Sequence, residues 1–109
     1  MRLPCSLLAL ALAACGNDGD AACQAAGLSY DNTGLPYVEN WCNGCHSADV
    51  PPGMRQDAPT GVNFDSVTEI RDQLIAITDT LQDQTMPPEG GPSAADTQAM
   101  IQWLDCGAP

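Results

Sequence analysis

The five residues C-N-G-C-H, from Cys42 to His46, constrain the fold of this 109-residue chain more than any other feature of its sequence. A chain of this size buries less than about 70% of its unfolded surface, so an apolar core alone leaves it marginally stable. Such domains usually gain stability from disulfides, a metal ion or a cofactor. Since the motif brings two thiols and an imidazole together, it predicts either a crosslink or the attachment of a larger group.

The spacing of the motif is typical of c-type haem attachment, in which two thiols three residues apart bond to the vinyl groups of the porphyrin. The next residue, His46, then binds the iron through its imidazole. The motif therefore predicts one covalent haem c, attached through Cys42 and Cys45, with iron bound by His46.

Other uses of the motif remain as alternatives. A thioredoxin-like redox pair normally follows a strand in a βαβ unit, and the sequence has no such pattern. A zinc site needs four ligands, and the adjacent Cys45 and His46 cannot easily point at one ion. A structural disulfide between Cys42 and Cys45 would leave His46 without a role.

The first residues predict export. Residues 1–14 combine Arg2 with an apolar run over residues 7–14, which is typical of a cleaved signal peptide and too short to span a hydrocarbon core of about 30 Å. Residues 12–15, L-A-A-C, resemble the lipobox of bacterial lipoproteins, with an ordinary signal peptide as the alternative. Six cysteines also favour an oxidising compartment. We therefore expect a periplasmic or outer-membrane-associated lipoprotein, attached to the membrane through lipid on Cys15.

The charge of the chain is strongly negative. It has 14 acidic residues and no lysine, and cleavage before Cys15 leaves only Arg55 and Arg71, a formal charge of −12 (2 − 14). Such a field repels nucleic acid and favours redox partner proteins with basic docking surfaces. A plain role in solubility is the alternative.

The helical patterns predict a small all-α domain of about three to four helices, with long loops around the haem. Residues 15–35 predict a tether and an irregular lead-in, and residues 36–109 the domain. A short helix is expected to begin at Pro36 and run into the cysteine pair, followed by a proline-rich loop over residues 47–64.

Two further helices are expected in the second half of the chain. Ser66 and Glu69 form a capping box, which predicts the start of one amphipathic helix. The apolar stripe of that helix is Val67, Ile70, Leu74, Ile77 and Leu81. After the break T-M-P-P-E-G-G-P, Ser93 and Asp96 begin a final helix that stops at Gly107.

The amino-acid composition limits which residues can bind the sixth position of the iron. His46 is the only histidine and lysine is absent, which leaves a methionine or an open position. Met54 follows His46 too closely to reach the opposite face of the ring easily, and Met100 has the pattern of a core residue. Met86 precedes two prolines that keep it out of a helix and stiffen its loop. Met86 is therefore the predicted second iron ligand.

Together, the C-x-x-C-H motif, the M-P-P at residues 86–88 and the C-terminal W-L-D-C-G-A-P resemble a monohaem class I cytochrome c, especially the short exported cytochrome-c-like proteins of bacteria. The resemblance covers residues 36–107. It implies that the helix before the motif crosses the C-terminal helix and that Trp41 and Trp103 pack near the haem. The chain departs from members that dock through lysine-rich surfaces.

Four other residues have predicted roles. Cys23 and Cys106 flank the domain, and a disulfide between them is expected, with unpaired thiols or pairing to another protein as alternatives. Arg55 is expected to pair with a haem propionate, because a planar guanidinium suits carboxylates. Phe64 is expected either to line the haem pocket or to take a core position.

These features predict a one-electron carrier rather than an enzyme, since no nucleophile, general base or phosphate loop is evident. One alternative is a haem module whose sixth site is open or displaceable and binds a small ligand or peroxide. Another is a haem-bearing subunit of a larger redox enzyme.

Overall fold

The computed structural model describes the backbone of residues 18–109 and the side chains from Ala21 onward. The predicted signal peptide, lipobox and lipidated Cys15 lie outside this part. The helices are α1 (Asp18–Ala26), α2 (Leu35–Trp41), α3 (Val67–Asp72), α4 (Leu74–Gln82) and α5 (Ala94–Asp105), with a π-helical turn at Tyr30–Gly34 and a 3₁₀ turn at Pro52–Met54. Residues 18–109 contain no β-strand, which confirms the all-α prediction, but they contain five α-helices where about three to four were expected. No helix in this range is long and apolar enough to cross a bilayer.

The lead-in is more ordered than its sequence suggested. The prediction of irregular structure over residues 15–35 was wrong for α1 and for the π-helical turn. Alanines favour helix in α1. In the turn, the Ser29 side chain accepts from the Asn32 amide (3.1 Å) and the Asn32 side chain accepts from the Ser29 amide (2.7 Å). This reciprocal cap fixes the chain just before α2.

A disulfide joins the lead-in to the end of α5. Cys23 and Cys106 are bonded, with 5.7 Å between their α-carbons and a sequence separation of 83. This is the expected pairing. The residues of α1 next to Cys23, which are Ala21, Ala22 and residues 24–26, are exposed, and the disulfide bonds this helix to the end of α5.

The short helix before the motif is confirmed. Pro36 lies in the first turn of α2, and the helix ends at Trp41, directly before Cys42. Its inward face buries Tyr37 and Val38. The Tyr37 hydroxyl lies 3.3 Å from Thr97 Oγ1, which brings α2 against α5.

The predicted long amphipathic helix is interrupted. Ser66 caps α3 as expected, its side chain accepting from the Glu69 amide (3.2 Å), but Gln73 (φ −109°, ψ 16°) separates α3 from α4. The prediction of one continuous helix was therefore wrong at Gln73. The break gives the two helices separate partners: Arg71 Nε of α3 donates to Ala108 O (2.9 Å), whereas α4 packs against α5.

The final helix matches its prediction at both ends. The Ser93 side chain accepts from the Asp96 amide (3.0 Å) at its start. At its end Gly107 has φ +87°, and the amides of Gly107 and Ala108 donate to Leu104 O (2.8 Å) and Trp103 O (3.0 Å). This is the Schellman arrangement that a glycine at this position favours.

Trp103 of α5 lies at the centre of the core and has no exposed surface. Its ring stacks on Tyr30, with 6.2 Å between centroids, and covers Gly34 so closely that an added Cβ would lie 2.5 to 2.8 Å from the indole. The remaining buried apolar residues of the described part are Tyr37, Val38, Phe64, Ile70, Ile77, Leu81, Met100, Leu104 and Ala108. The core thus joins the π-helical turn and α2 to α3, α4 and α5.

Candidate haem site

A cavity of about 350 Å³ opens beside the C-x-x-C-H motif. Its walls come from the end of α2, the motif itself, the loop over residues 55–64, α4 and the loop that carries Met86. This volume is within the range of small-molecule and cofactor pockets. Apolar side chains supply much of the wall, among them Val62, Phe64, Ile77 and Leu81.

All six residues predicted to bind haem line this one cavity: Trp41, Cys42, Cys45, His46, Arg55 and Met86. Phe64 lines it as well. Trp103, which the cytochrome resemblance placed near the haem, is instead in the core and is not among the lining residues, because its indole fills the space over Gly34. The site thus joins residues from segments far apart in sequence.

The two motif thiols are half-buried and unbonded to each other. They follow α2 in a tight turn, in which the amides of Cys45 and His46 donate to Cys42 O (3.1 and 2.9 Å). Burial raises the pKa of the Cys42 thiol to about 12. Reactive redox cysteines have a lowered pKa, so this environment does not favour the thioredoxin-like alternative. The structure also has no disulfide between Cys42 and Cys45, which was the other crosslinking alternative.

His46 is held so that one ring nitrogen is free. Nδ1 lies 3.0 Å from Val62 O, and a carbonyl can only accept a hydrogen bond. In the neutral ring Nδ1 therefore carries the proton, which leaves Nε2 with a lone pair. The Phe64 ring packs on the imidazole with 4.9 Å between centroids. A second nitrogen fixed by a carbonyl is the usual arrangement for a histidine that binds a metal.

Met86 is the only one of the three described methionines that lines the cavity. Its side chain is 40% exposed, whereas that of Met54 is 70% exposed and that of Met100 is fully buried in the core. At the start of its loop, the amides of Thr85 and Met86 donate to Thr80 O (3.0 and 3.4 Å). The structure therefore places Met86 at the cavity and the other two described methionines away from it.

Arg55 is buried, with 1% of its surface exposed. Its guanidinium donates to the carbonyls of four loop residues and to one amide oxygen: Ser47, Ala58, Pro59, Val62 and Asn63. These bonds hold the loop after the motif in place as one wall of the cavity. Arg55 thus lies at the cavity, where it was predicted to pair with a propionate. However, its N–H groups already donate to oxygens of the loop.

The Val62 carbonyl is a functional group that sequence reasoning missed. It accepts from His46 Nδ1 (3.0 Å) and also from Arg55 Nη2 (3.0 Å). A backbone oxygen leaves no signal in the sequence, because any residue type supplies one. The Arg55 charge is thereby linked to His46 through one shared acceptor.

The zinc alternative requires four ligands. Among the side chains that the structure describes, from Ala21 to Pro109, no three of His, Cys, Asp or Glu are grouped closely enough to hold a metal ion.

Comparison of the chain with protein-family models, with curated proteins and with solved structures found no match.

Proposed function

We propose that the protein is an exported one-electron carrier of the class I cytochrome c type, which holds one covalent haem c in the cavity. The observation that carries this proposal is the convergence of Cys42, Cys45, His46 and Met86 on one cavity. Met86 follows His46 by 40 residues in sequence, so local folding of the motif alone does not bring them together.

The residues of the cavity fit such a group. Two unpaired thiols are available for thioether bonds, and the free Nε2 of His46 suits iron. The haem would supply a one-electron couple between Fe(II) and Fe(III), with a thioether ligand favouring the reduced state. Val62 O fixes the His46 ring, the apolar side chains of the wall would pack against the porphyrin, and Met86 would provide the second iron ligand.

Docking to a basic partner is part of the proposal. Arg55 is buried, so its charge is absent from the surface, whereas Asp57 at the cavity and Glu89 in the Met86 loop (residues 83–93) are exposed. Carboxylates near the cavity mouth favour a redox partner protein with a basic docking surface. Lipid on Cys15 would hold the carrier at the membrane, and neither nucleic acid binding nor enzymatic activity is proposed.

A second candidate function has one observation in its favour. Another cavity, of about 560 Å³, lies on the Met86 loop, and Met86, Pro87 and Pro88 line both cavities. The loop therefore has space into which it can withdraw, and the iron could then bind a small ligand. The same withdrawal suits a haem-bearing subunit of a redox enzyme.

Carbon monoxide binding to the reduced protein distinguishes an electron carrier from a haem module with a displaceable sixth ligand. We expect slow or absent binding in the parent protein, rapid binding after Met86→Ala, and parent-like behaviour after Met54→Ala, the matched control on an exposed methionine outside the cavity. Rapid binding by the parent protein would favour the displaceable-ligand function. Equal behaviour of the two variants would show that Met86 is not the ligand.

A further inference from the structure

The Met86 loop meets the Trp41 indole at Gly91. A Cβ added to Gly91 would lie 2.9 Å from Trp41 Cε3 and 3.2 Å from Cη2, and closer still to Cζ3. Such distances are shorter than ordinary van der Waals contact, so the ring rests on the bare α-carbon. Trp41 also lines the haem cavity. One side chain at the end of α2 therefore touches both the cavity and the end of this loop.

Few other contacts hold the loop. At its start Thr80 O accepts from the amides of Thr85 and Met86, and within it the Gly90 amide donates to Pro87 O (3.0 Å). The residues around Met86 are mostly exposed, and Met86, Pro87 and Pro88 line two cavities. Its position is consequently set at its two ends, by Thr80 at the start and by the indole at Gly91.

We propose that the contact between Trp41 and Gly91 anchors the Met86 loop and so determines how firmly Met86 stays at the iron. This inference rests on the proposed function, in which Met86 is the second ligand. Trp41 then acts as a positioning residue, because it acts on the iron through the loop. A loosened anchor lets the loop withdraw from the cavity, which frees the sixth position for a small neutral ligand.

The chain offers a matched control for this contact. Gly90 and Gly91 both have positive φ, +72° and +121°, but a Cβ at Gly90 would have no atom within 4 Å. Gly90→Ala therefore adds a methyl group and backbone strain without touching the indole. Gly91→Ala adds the clash with Trp41 and also a larger backbone strain, because φ +121° lies outside the left-handed region. Trp41→Leu leaves both glycines in place and therefore isolates the contact.

The experiment compares carbon monoxide association with the reduced Gly91→Ala and Gly90→Ala proteins. We expect Gly91→Ala to bind carbon monoxide about tenfold faster or more, because the clash loosens the loop that carries Met86. A tenfold change corresponds to roughly 1.4 kcal/mol. We also expect it to lose the red-edge charge-transfer band of thioether-ligated ferric haem. Gly90→Ala should remain close to the parent protein in both measurements. Equal rates for the two variants would overturn the inference.

Hydrogen exchange of the Thr85 and Met86 amides, which both donate to Thr80 O, provides a readout that does not depend on haem. These amides should exchange faster in Gly91→Ala than in Gly90→Ala. Trp41→Leu should have the same effect, and combining it with Gly91→Ala should add little, because both changes remove one contact. Fully additive effects would refute a shared anchor. A parent protein without covalent haem would refute the proposed function, whereas the exchange comparison would still decide the anchor.

Discussion

The disulfide between Cys23 and Cys106 should account for a large part of the stability of this domain. It closes a loop of 83 residues. In the chain-entropy model a loop of this length stabilises the folded state by about 4–5 kcal/mol, through the lost freedom of the unfolded chain. Typical small domains have only about 5–15 kcal/mol in total.

The structure indicates how much of this figure to expect. Since α1 is mostly exposed around Cys23, replacing both cysteines by serine should release α1 before the rest of the domain unfolds. A released α1 regains conformational freedom in the folded state of the variant, which partly offsets the freedom gained by its unfolded chain. The measured loss in the free energy of unfolding should therefore stay below the roughly 4–5 kcal/mol of the chain-entropy model. We expect a loss of roughly 2–4 kcal/mol, or a fall in Tm of at least about 8 °C at 4 °C per kcal/mol.

Two measurements separate local release from global destabilisation. Thermal unfolding of the Cys23→Ser/Cys106→Ser protein against the parent gives the change in Tm. Hydrogen exchange should show fast exchange throughout α1, with protection retained in α5. A double variant within about 2 °C of the parent would refute this reasoning. So would exchange in α1 that remains unchanged.

Two more substitutions test other contacts. Gly34→Ala should destabilise the domain by about 1–3 kcal/mol, because its Cβ would meet the buried Trp103 indole. Thermal unfolding measures this change. Gly53→Ala is the control, because a Cβ there would have no atom within 4 Å. Equal Tm values for the two variants would contradict the packing argument. Arg55→Gln should lower the midpoint potential of the haem by on the order of tens of millivolts, because losing a buried cation favours Fe(III). For one electron, about 1.4 kcal/mol corresponds to roughly 59 mV. Redox titration measures it, with Arg71→Gln, on an exposed arginine outside the cavity, as the control; an equal shift in both would show that the position of Arg55 does not matter.

The features that the sequence predicted well are set by local chemistry. Ser93 caps α5 and Gly107 ends it, because a short hydroxyl and a residue without Cβ satisfy the free backbone groups at helix ends. The two prolines after Met86 predicted a loop there, and the structure has Met86 in a loop that lines the cavity.

The features that the sequence did not predict depend on tertiary contacts. No glycine or proline marks the break at Gln73, which follows from the separate packing of α3 and α4. The Val62 carbonyl is invisible in a sequence. Trp41 is the last residue of α2 and Trp103 lies within α5. The first lines the cavity and the second fills the core, since only the folded chain places Gly34 beneath Trp103.

The most direct test of the account is the intact mass of the protein from a cell that can mature c-type cytochromes, measured after acid-acetone extraction. We expect the processed polypeptide plus one haem, with the colour retained, and loss of the added mass when Cys42 and Cys45 are both replaced by alanine. A mass equal to the bare polypeptide, with all colour in the extract, would contradict the proposed haem site.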